Sequence, residues 1–279
     1  MILRVSITRG FHSMKEQFYI LILLFIYRLL WGYSMYGFVR HAIVPILLRY
    51  PNEQAGGSGM SRLLFYIEGQ FSLSSDPDVQ RWLWMLLAIT ILKLLLSPFI
   101  RAGLIHELHQ ESKGVRGLFF FPGMKLYGLP VLIFSLVEWL LALVPLYWLA
   151  PRIYKLLLSS FLDYSLLLKI SPYLLVWLIY IFIIRLCLLY MQFGYTSDTG
   201  MFYSLILCLR HIIPALVTAA ILGAGGLLIL LLCGLTGIFC PGLPALLIRQ
   251  ISPLPSTFFK MWGLAAQYHL WQSKLPSNN

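Results

Sequence analysis

Residues 212–248 read IIPALVTAAILGAGGLLILLLCGLTGIFCPGLPALLI, a run between His211 and Arg249 that carries no charged side chain. A soluble fold would have to hide such a segment from water on every side. In hydrocarbon each backbone N–H and C=O must be paired within the protein, so only helices or a closed barrel will serve. Barrel strands alternate in segments of about ten residues, whereas this run is continuous, which selects helix. A single straight helix of this length would measure roughly 55 Å, well beyond a hydrocarbon layer of about 30 Å. The breakers Gly234, Gly237, Pro241, Gly242 and Pro244 therefore predict that it turns back on itself. A span over 212–232 and a short one over 237–248 follow. If the short one is re-entrant, the chain has one full crossing fewer.

Working outward, the same continuous apolarity predicts earlier spans at 18–48, 82–104, 129–149 and 172–193. Hydrophobic residues make up 59% of the 279-residue chain and charged ones 11%, against about 25% charged in an ordinary soluble domain. With a mean hydropathy of +0.82, the apolar residues are not confined to one face of each element. The expected fold class is all-α: one polytopic membrane domain over 1–279 with about six transmembrane helices. Span 18–48 is long enough to tilt. Pro130 falls in the first turn of span 129–149, where a missing N–H does no harm. Residues 49–81 form the longest polar stretch and read as an extramembrane loop, with Gly56-Gly57-Ser58-Gly59 and Asp76-Pro77-Asp78 as turn chemistry. A short amphipathic helix over 61–68 interrupts it. Residues 106–128 read as a connection. Three stretches, 152–169, 199–210 and 256–271, are amphipathic at helical spacing and predict helices lying in the interface. In the first, Arg152, Lys155, Ser159 and Asp163 define the polar stripe. Ser197 or Asp198 is the expected cap of the second. In the third, Phe259, Trp262, Ala266 and Leu270 share a face.

The formal charge of +11 fits membrane topology and attraction to anionic headgroups. A nucleic-acid partner would need a basic patch on a polar domain, and the sequence holds no such domain. Arg4, Arg9 and Lys15 precede the first apolar run in the manner of a signal peptide. No small-residue cleavage site follows and Arg28 interrupts the run, so it reads as an uncleaved first span. Lys and Arg are modestly biased toward the N-terminus, 106–128 and the C-terminus, which puts both termini in the cytoplasm. Cys187, Cys208, Cys233 and Cys240 sit in apolar surroundings with no C-x-x-C spacing, and read as small buried hydrophobes. No cofactor is implied.

Charges inside apolar runs are the most informative residues. Lys93 lies near the centre of span 82–104 and Glu138 near the centre of 129–149. Arg185 lies past the middle of 172–193, and Arg28 lies within the first span. A charge at mid-membrane costs a few kcal/mol on insertion scales and faces a partner or a wet cavity. Lys93 with Glu138 is the natural pair. Arg28 and Arg185 then either snorkel to headgroups or leave a positive excess suited to an anion. His106, Glu107, His109 and Glu111 read as a solvated span end, because zinc-protease chemistry needs histidines four apart. Gly223, Gly225 and Gly226 read as a close-packing surface. Spans two to five hint at a duplicated hairpin: Lys93, Gly103 and Pro130 recur in pattern as Arg185, Gly194 and Pro214.

The Pro-Phe-x-x-Ala-Gly end of span two, Pro98 to Gly103, and the lead Gly-Met-Phe-Tyr-Ser-Leu, Gly200 to Leu205, resemble the six-span domain attached to some bacterial glycerophosphodiester phosphodiesterases and its stand-alone relatives. The resemblance covers roughly residues 80–270 and carries over no catalytic residue. It implies a non-catalytic module of a bacterial cytoplasmic membrane that handles lipid or serves a protein partner. The expected function is accordingly non-enzymatic: an accessory, scaffold or lipid-interacting component, with anionic lipids, a protein partner or a second copy of the chain as its contacts. The alternative is a transporter or permease subunit for an anionic solute or lipid that uses the intramembrane Lys and Arg.

Overall fold

The structure, a computed structural model, describes residues 2–40, 77–115, 117–159, 165–239 and 251–275. Among these, all regular structure is helical: α1 (Ile2–Glu16), α2 (Phe18–Phe38), α3 (Pro77–Ser112), α4 (Phe120–Ser159), α5 (Ser165–Thr196), α6 (Met201–Arg210), α7 (Ile212–Phe239) and α8 (Pro253–Gln272). Five stretches, within α2, α3, α4, α5 and α7, are long and apolar enough to cross a membrane. The fold is that of a polytopic helical membrane protein.

The chain divides into two compact units, residues 19–96 and residues 1–18 with 97–279. In the smaller one, α2 and the first half of α3 run antiparallel. Tyr27 Oη donates to the Lys93 carbonyl at 3.4 Å, and Trp82 lies against Gly37.

Several helix contacts hold the larger unit together. α1 and α8 run parallel, because Ile7, Gly10 and Ser13 meet Trp262, Ala266 and His269 in the same order. Gly10 makes this possible: a Cβ there would stand 2.6 Å from the Ala266 nitrogen. Small residues at such crossings let backbones approach where side chains would hold them apart. The second half of α3 runs antiparallel to α4, with Gly103 against Phe120 and Met124, Gly123 against His106, and Gly128 against Phe99. α4 and α5 are also antiparallel; Trp177 Nε1 donates to the Ala142 carbonyl at 3.1 Å and Tyr180 Oη to the Leu141 carbonyl at 3.3 Å. α8 returns antiparallel along α7, with Phe259 on Gly225 and Gly226 and Gln267 Nε2 donating to the Ala215 carbonyl at 2.8 Å. The core gathers Ile105, Leu108, Tyr190, Phe193, Tyr268, Leu270 and Trp271.

Several expected boundaries move. The basic N-terminal segment is itself the helix α1, whose buried side (Ser6, Gly10, Ser13, Met14) is mostly small or polar and gives little apolar signal in the sequence. α3 runs on to Ser112 and α4 begins at Phe120, so much of the expected connection 106–128 is helix. Pro130 is then inside α4 rather than in its first turn. The glycine-mediated contacts with α3 extend that helix. The interfacial helix expected over 152–169 is not a separate element: 152–159 continue α4 through Pro145 and Pro151, 165–169 open α5, and 160–164 lie outside the described residues. α6 matches the expected 199–210 helix, but its N-cap is Gly200 at φ 97°. Ser197 does not cap it; its hydroxyl donates back to the Phe193 carbonyl at 2.6 Å, closing the end of α5. Asp198 sits in the turn at φ 57°.

The turn expected at Gly234 and Gly237 does not occur, since α7 continues to Phe239. Helical backbone tolerates glycine where every amide must stay paired. The expected span 237–248 therefore begins inside α7, and 240–248 lie outside the described residues, as do 41–48 of the first span and 49–76 of the expected loop 49–81; the loop's last residues, 77–81, are instead the first turn of α3. The helix expected over 256–271 is α8. It does not lie on the surface: Met261, Ala265, Ala266, Tyr268 and Trp271 are buried, and not only the single face read from the sequence.

Candidate functional site

Charge in the larger unit converges on Glu138 of α4. The two hydrogen bonds from Trp177 and Tyr180 set the α4–α5 register, and two turns beyond them α5 presents Arg185 to Glu138. Arg185 Nε stands 3.7 Å from Glu138 Oε1. From α3, Arg101 Nη1 donates to Glu138 Oε2 at 3.2 Å. The carboxylate expected for Lys93 thus makes its ion pairs with two arginines. Arg101, near the polar end of its run, is not among the charges that the sequence marks as costly. Lys93 belongs to the smaller unit, where its Nζ lies 3.3 Å from the centroid of the Trp31 ring. That cation–π contact gives an ammonium in hydrocarbon a partner without a counter-ion. Arg28 belongs to the same unit as Lys93. Of the four candidate residues, the larger unit brings Glu138 and Arg185 together.

Beside the Arg101–Glu138–Arg185 group is a cavity of about 400 Å³. Its walls come from α5, α7 and α8: Phe182, Leu186, Leu189, Leu222, Leu227, Leu230 and Phe259. Gly223, Gly226 and Gly263 also line it, leaving room that side chains would fill. So Gly226 both packs on Phe259 and opens the cavity, and the close-packing reading of the glycine cluster holds only in part. The charged lining is cationic, with Arg101, Arg185 and Lys260. Gln267 closes one side, accepting from Tyr190 Oη at 2.9 Å while it donates to Ala215.

Exposure separates the three charged groups. The side chain of Arg185 is 60% exposed, that of Arg101 20% and that of Glu138 12%. The carboxylate is therefore enclosed, and Arg185 is the most exposed of the three. Arginine stays protonated in such surroundings. One carboxylate against two guanidinium groups leaves a net positive charge in an apolar setting, where charge is costly unless water or an anion meets it. A guanidinium fork matches phosphate and carboxylate oxygens.

A second polar group ties α1, α3 and α8. Ser13 Oγ and His269 Nε2 are 2.7 Å apart, Gln17 Nε2 donates to Glu111 Oε2 at 2.8 Å, and His109 Nδ1 lies 3.0 Å from Tyr268 Oη. Burial, with Glu111 adding to it, pushes the Tyr268 hydroxyl up to about 12 despite its hydrogen bond with Ser112. Burial, helped by Arg9, holds His269 below the usual imidazole value. The run from His106 to Glu111, expected as a solvated span end, is packed instead: His106 is 8% exposed, with its ring beside Tyr127 and Phe119. These residues staple the N- and C-terminal helices to α3. Cys208 is in the core, Cys187 and Cys233 are partly buried, and all three are free thiols.

No known family, curated protein or solved structure matches the chain.

Proposed function

We propose that this protein is a non-enzymatic, lipid-interacting component of a bacterial cytoplasmic membrane, and that it holds an anionic lipid in the cavity between α3, α5, α7 and α8. One observation carries this: arginines 101 and 185 stand at the edge of a cavity whose other walls are mainly leucine and phenylalanine. An amphiphile satisfies both parts. Its phosphate answers the guanidinium groups, and its acyl chain covers apolar walls that a soluble anion would leave bare. The resemblance at 98–103 and 200–205 points the same way. A permease for a soluble anion is the weaker reading, because that cargo makes no use of the walls.

The test is native mass spectrometry of the protein released from its own membrane, beside an Arg101→Met, Arg185→Met double variant. The wild type is expected to carry a stoichiometric acidic lipid that the folded double variant lacks. Wild-type protein without bound lipid, or a lipid retained equally by the variant, sinks the proposal.

A further inference from the structure

The cavity presents an anion with a guanidinium that already has a carboxylate beside it. Arg101 is hydrogen-bonded to Glu138 at 3.2 Å, whereas Arg185 reaches it only as an ion pair at 3.7 Å. Arg185 is also the exposed member of the group, at 60% against 12% for Glu138. The two arginines therefore differ in role. Arg101 anchors the carboxylate, and Arg185 is held loosely enough to turn toward a ligand.

From this geometry we infer that Glu138 is a built-in competitor for the headgroup, which sets the affinity of the cavity and keeps its anionic lipid exchangeable. The inference rests on the lipid-binding reading of the cavity. A phosphate that engages Arg185 takes the guanidinium that Glu138 uses in the empty site. It also brings a second negative charge close to an enclosed carboxylate. Both effects weaken binding relative to a site with the arginines alone, and both speed release. In the empty site, Glu138 partly neutralises the two guanidinium groups, which would otherwise be left without a counter-charge beside them. A site meant to keep its lipid permanently has no need of the carboxylate. A site that takes up and hands on a lipid does.

The experiment titrates the full chain, in a neutral detergent, with phosphatidylglycerol, and reads the dissociation constant and release rate by native mass spectrometry. Phosphatidylcholine and inorganic phosphate are the control ligands. The wild type is expected to prefer phosphatidylglycerol to both, and Arg185→Met to lose that preference. Glu138→Gln removes one negative charge within a few ångströms of the headgroup, so it is expected to bind roughly tenfold tighter or more and to release more slowly. Glu138→Asp covers the case in which the glutamine variant does not fold. The shorter side chain draws the carboxylate back from Arg185, and a gain of about threefold is expected, smaller because the charge remains. If the wild type binds phosphatidylglycerol and the folded Glu138 variant binds it no tighter, the competitor role is overturned while lipid binding stands. If the wild type shows no preference for phosphatidylglycerol, or binds phosphate equally well, the lipid reading falls and the inference with it.

Discussion

At one end of the larger unit, Phe193, Tyr268, Leu270 and Trp271 are each at most 1% exposed. At the other, Leu140 and Tyr147 of α4, Val176 of α5 and Leu231 of α7 are 65%, 89%, 64% and 67% exposed. Both ends are built from leucines and aromatics, so apolarity does not separate them. What separates them is the company these residues keep. The packed end contains Gly10 against Ala266, Gln267 between Tyr190 and Ala215, Tyr268 between His109 and Ser112, and Trp271 Nε1 donating to Ser204 Oγ at 3.2 Å. The open end has few such ties. Helices do not gain by hiding leucine from lipid, which is as apolar as leucine itself; close approach and interhelical hydrogen bonds decide where they pack. The open end carries exposed apolar surface of the kind a bilayer would cover. The Arg101–Glu138–Arg185 group stands between the two ends, where packing gives way to space.

The largest effect should come from removing an aromatic at the packed end and comparing it with one at the open end. Trp271→Ala leaves a hole beside Phe193, Tyr268 and Ser204. It is expected to cost about 3–5 kcal/mol, enough to unfold a marginal protein. Tyr147→Ala is expected to stay within about 0.5 kcal/mol, since its side chain is exposed. Unfolding in a single detergent measures both. Equal losses would mean that the two ends are not distinct.

Gly10→Val tests close approach directly. The first added carbon meets the Ala266 nitrogen, and backbone cannot step aside as a side chain can. A loss near the upper end of the usual overpacking range of about 1–3 kcal/mol is expected, with α1 released from α8. Proteolysis near the N-terminus, slow in the wild type and fast in the variant, reports that release. Gly32, with no neighbour within reach of an added Cβ, is the control, and Gly32→Ala should change nothing.

The same contrast explains what the sequence disclosed. A bilayer asks for about twenty apolar residues in a row, which is a one-dimensional demand. The spans around 82–104, 172–193 and 212–232 were accordingly legible, and so was the helical class. Packing asks for matched surfaces, and Gly10 or Gln267 announces nothing in isolation. α8 illustrates this. Its pattern of Phe259, Trp262, Ala266 and Leu270 reads as one face of a surface helix, yet α1, α5 and α7 all pack on it. The site was half legible for a similar reason. Glu138 and Arg185 stand out because charge is costly in a span. Arg101, near the polar end of its run, does not stand out in the same way, and the partner expected for Glu138, Lys93, stacks on Trp31 instead. Charge flags a residue; only the register fixed by Trp177 and Tyr180 says whom it meets.

Gln267→Leu asks how much of the packed end rests on polar ties. The variant roughly keeps the volume and strands the Tyr190 hydroxyl in a dry setting, while the Ala215 carbonyl keeps its place in the α7 ladder. About 1–2 kcal/mol of destabilisation is expected. Adding Tyr190→Phe should restore part of it, since the stranded hydroxyl is then gone. A double variant no more stable than Gln267→Leu alone would argue against that bond.

The smallest effect concerns acid. His269, on the last turn of α8, meets Ser13 of α1, and burial with Arg9 nearby lowers its proton affinity in the folded state. The unfolded chain then takes up a proton near the ordinary imidazole value of 6.5 while the folded chain resists it. More protons bound to the unfolded state means that stability rises with pH. The contribution of His269 is thus complete above about pH 6.5, falls away as the pH drops toward the folded-state value, and changes no further below that. His269→Gln keeps a polar atom within reach of Ser13 and has no proton to take. Thermal midpoints measured at pH 8 and pH 5 should fall further for the wild type than for the variant. Because the other five histidines are the same in both proteins, only the difference between the two falls reports on His269. If the falls are equal, the α1–α8 contact is insensitive to acid, and the packed end owes its cohesion to Gly10, Gln267 and the aromatic cluster instead.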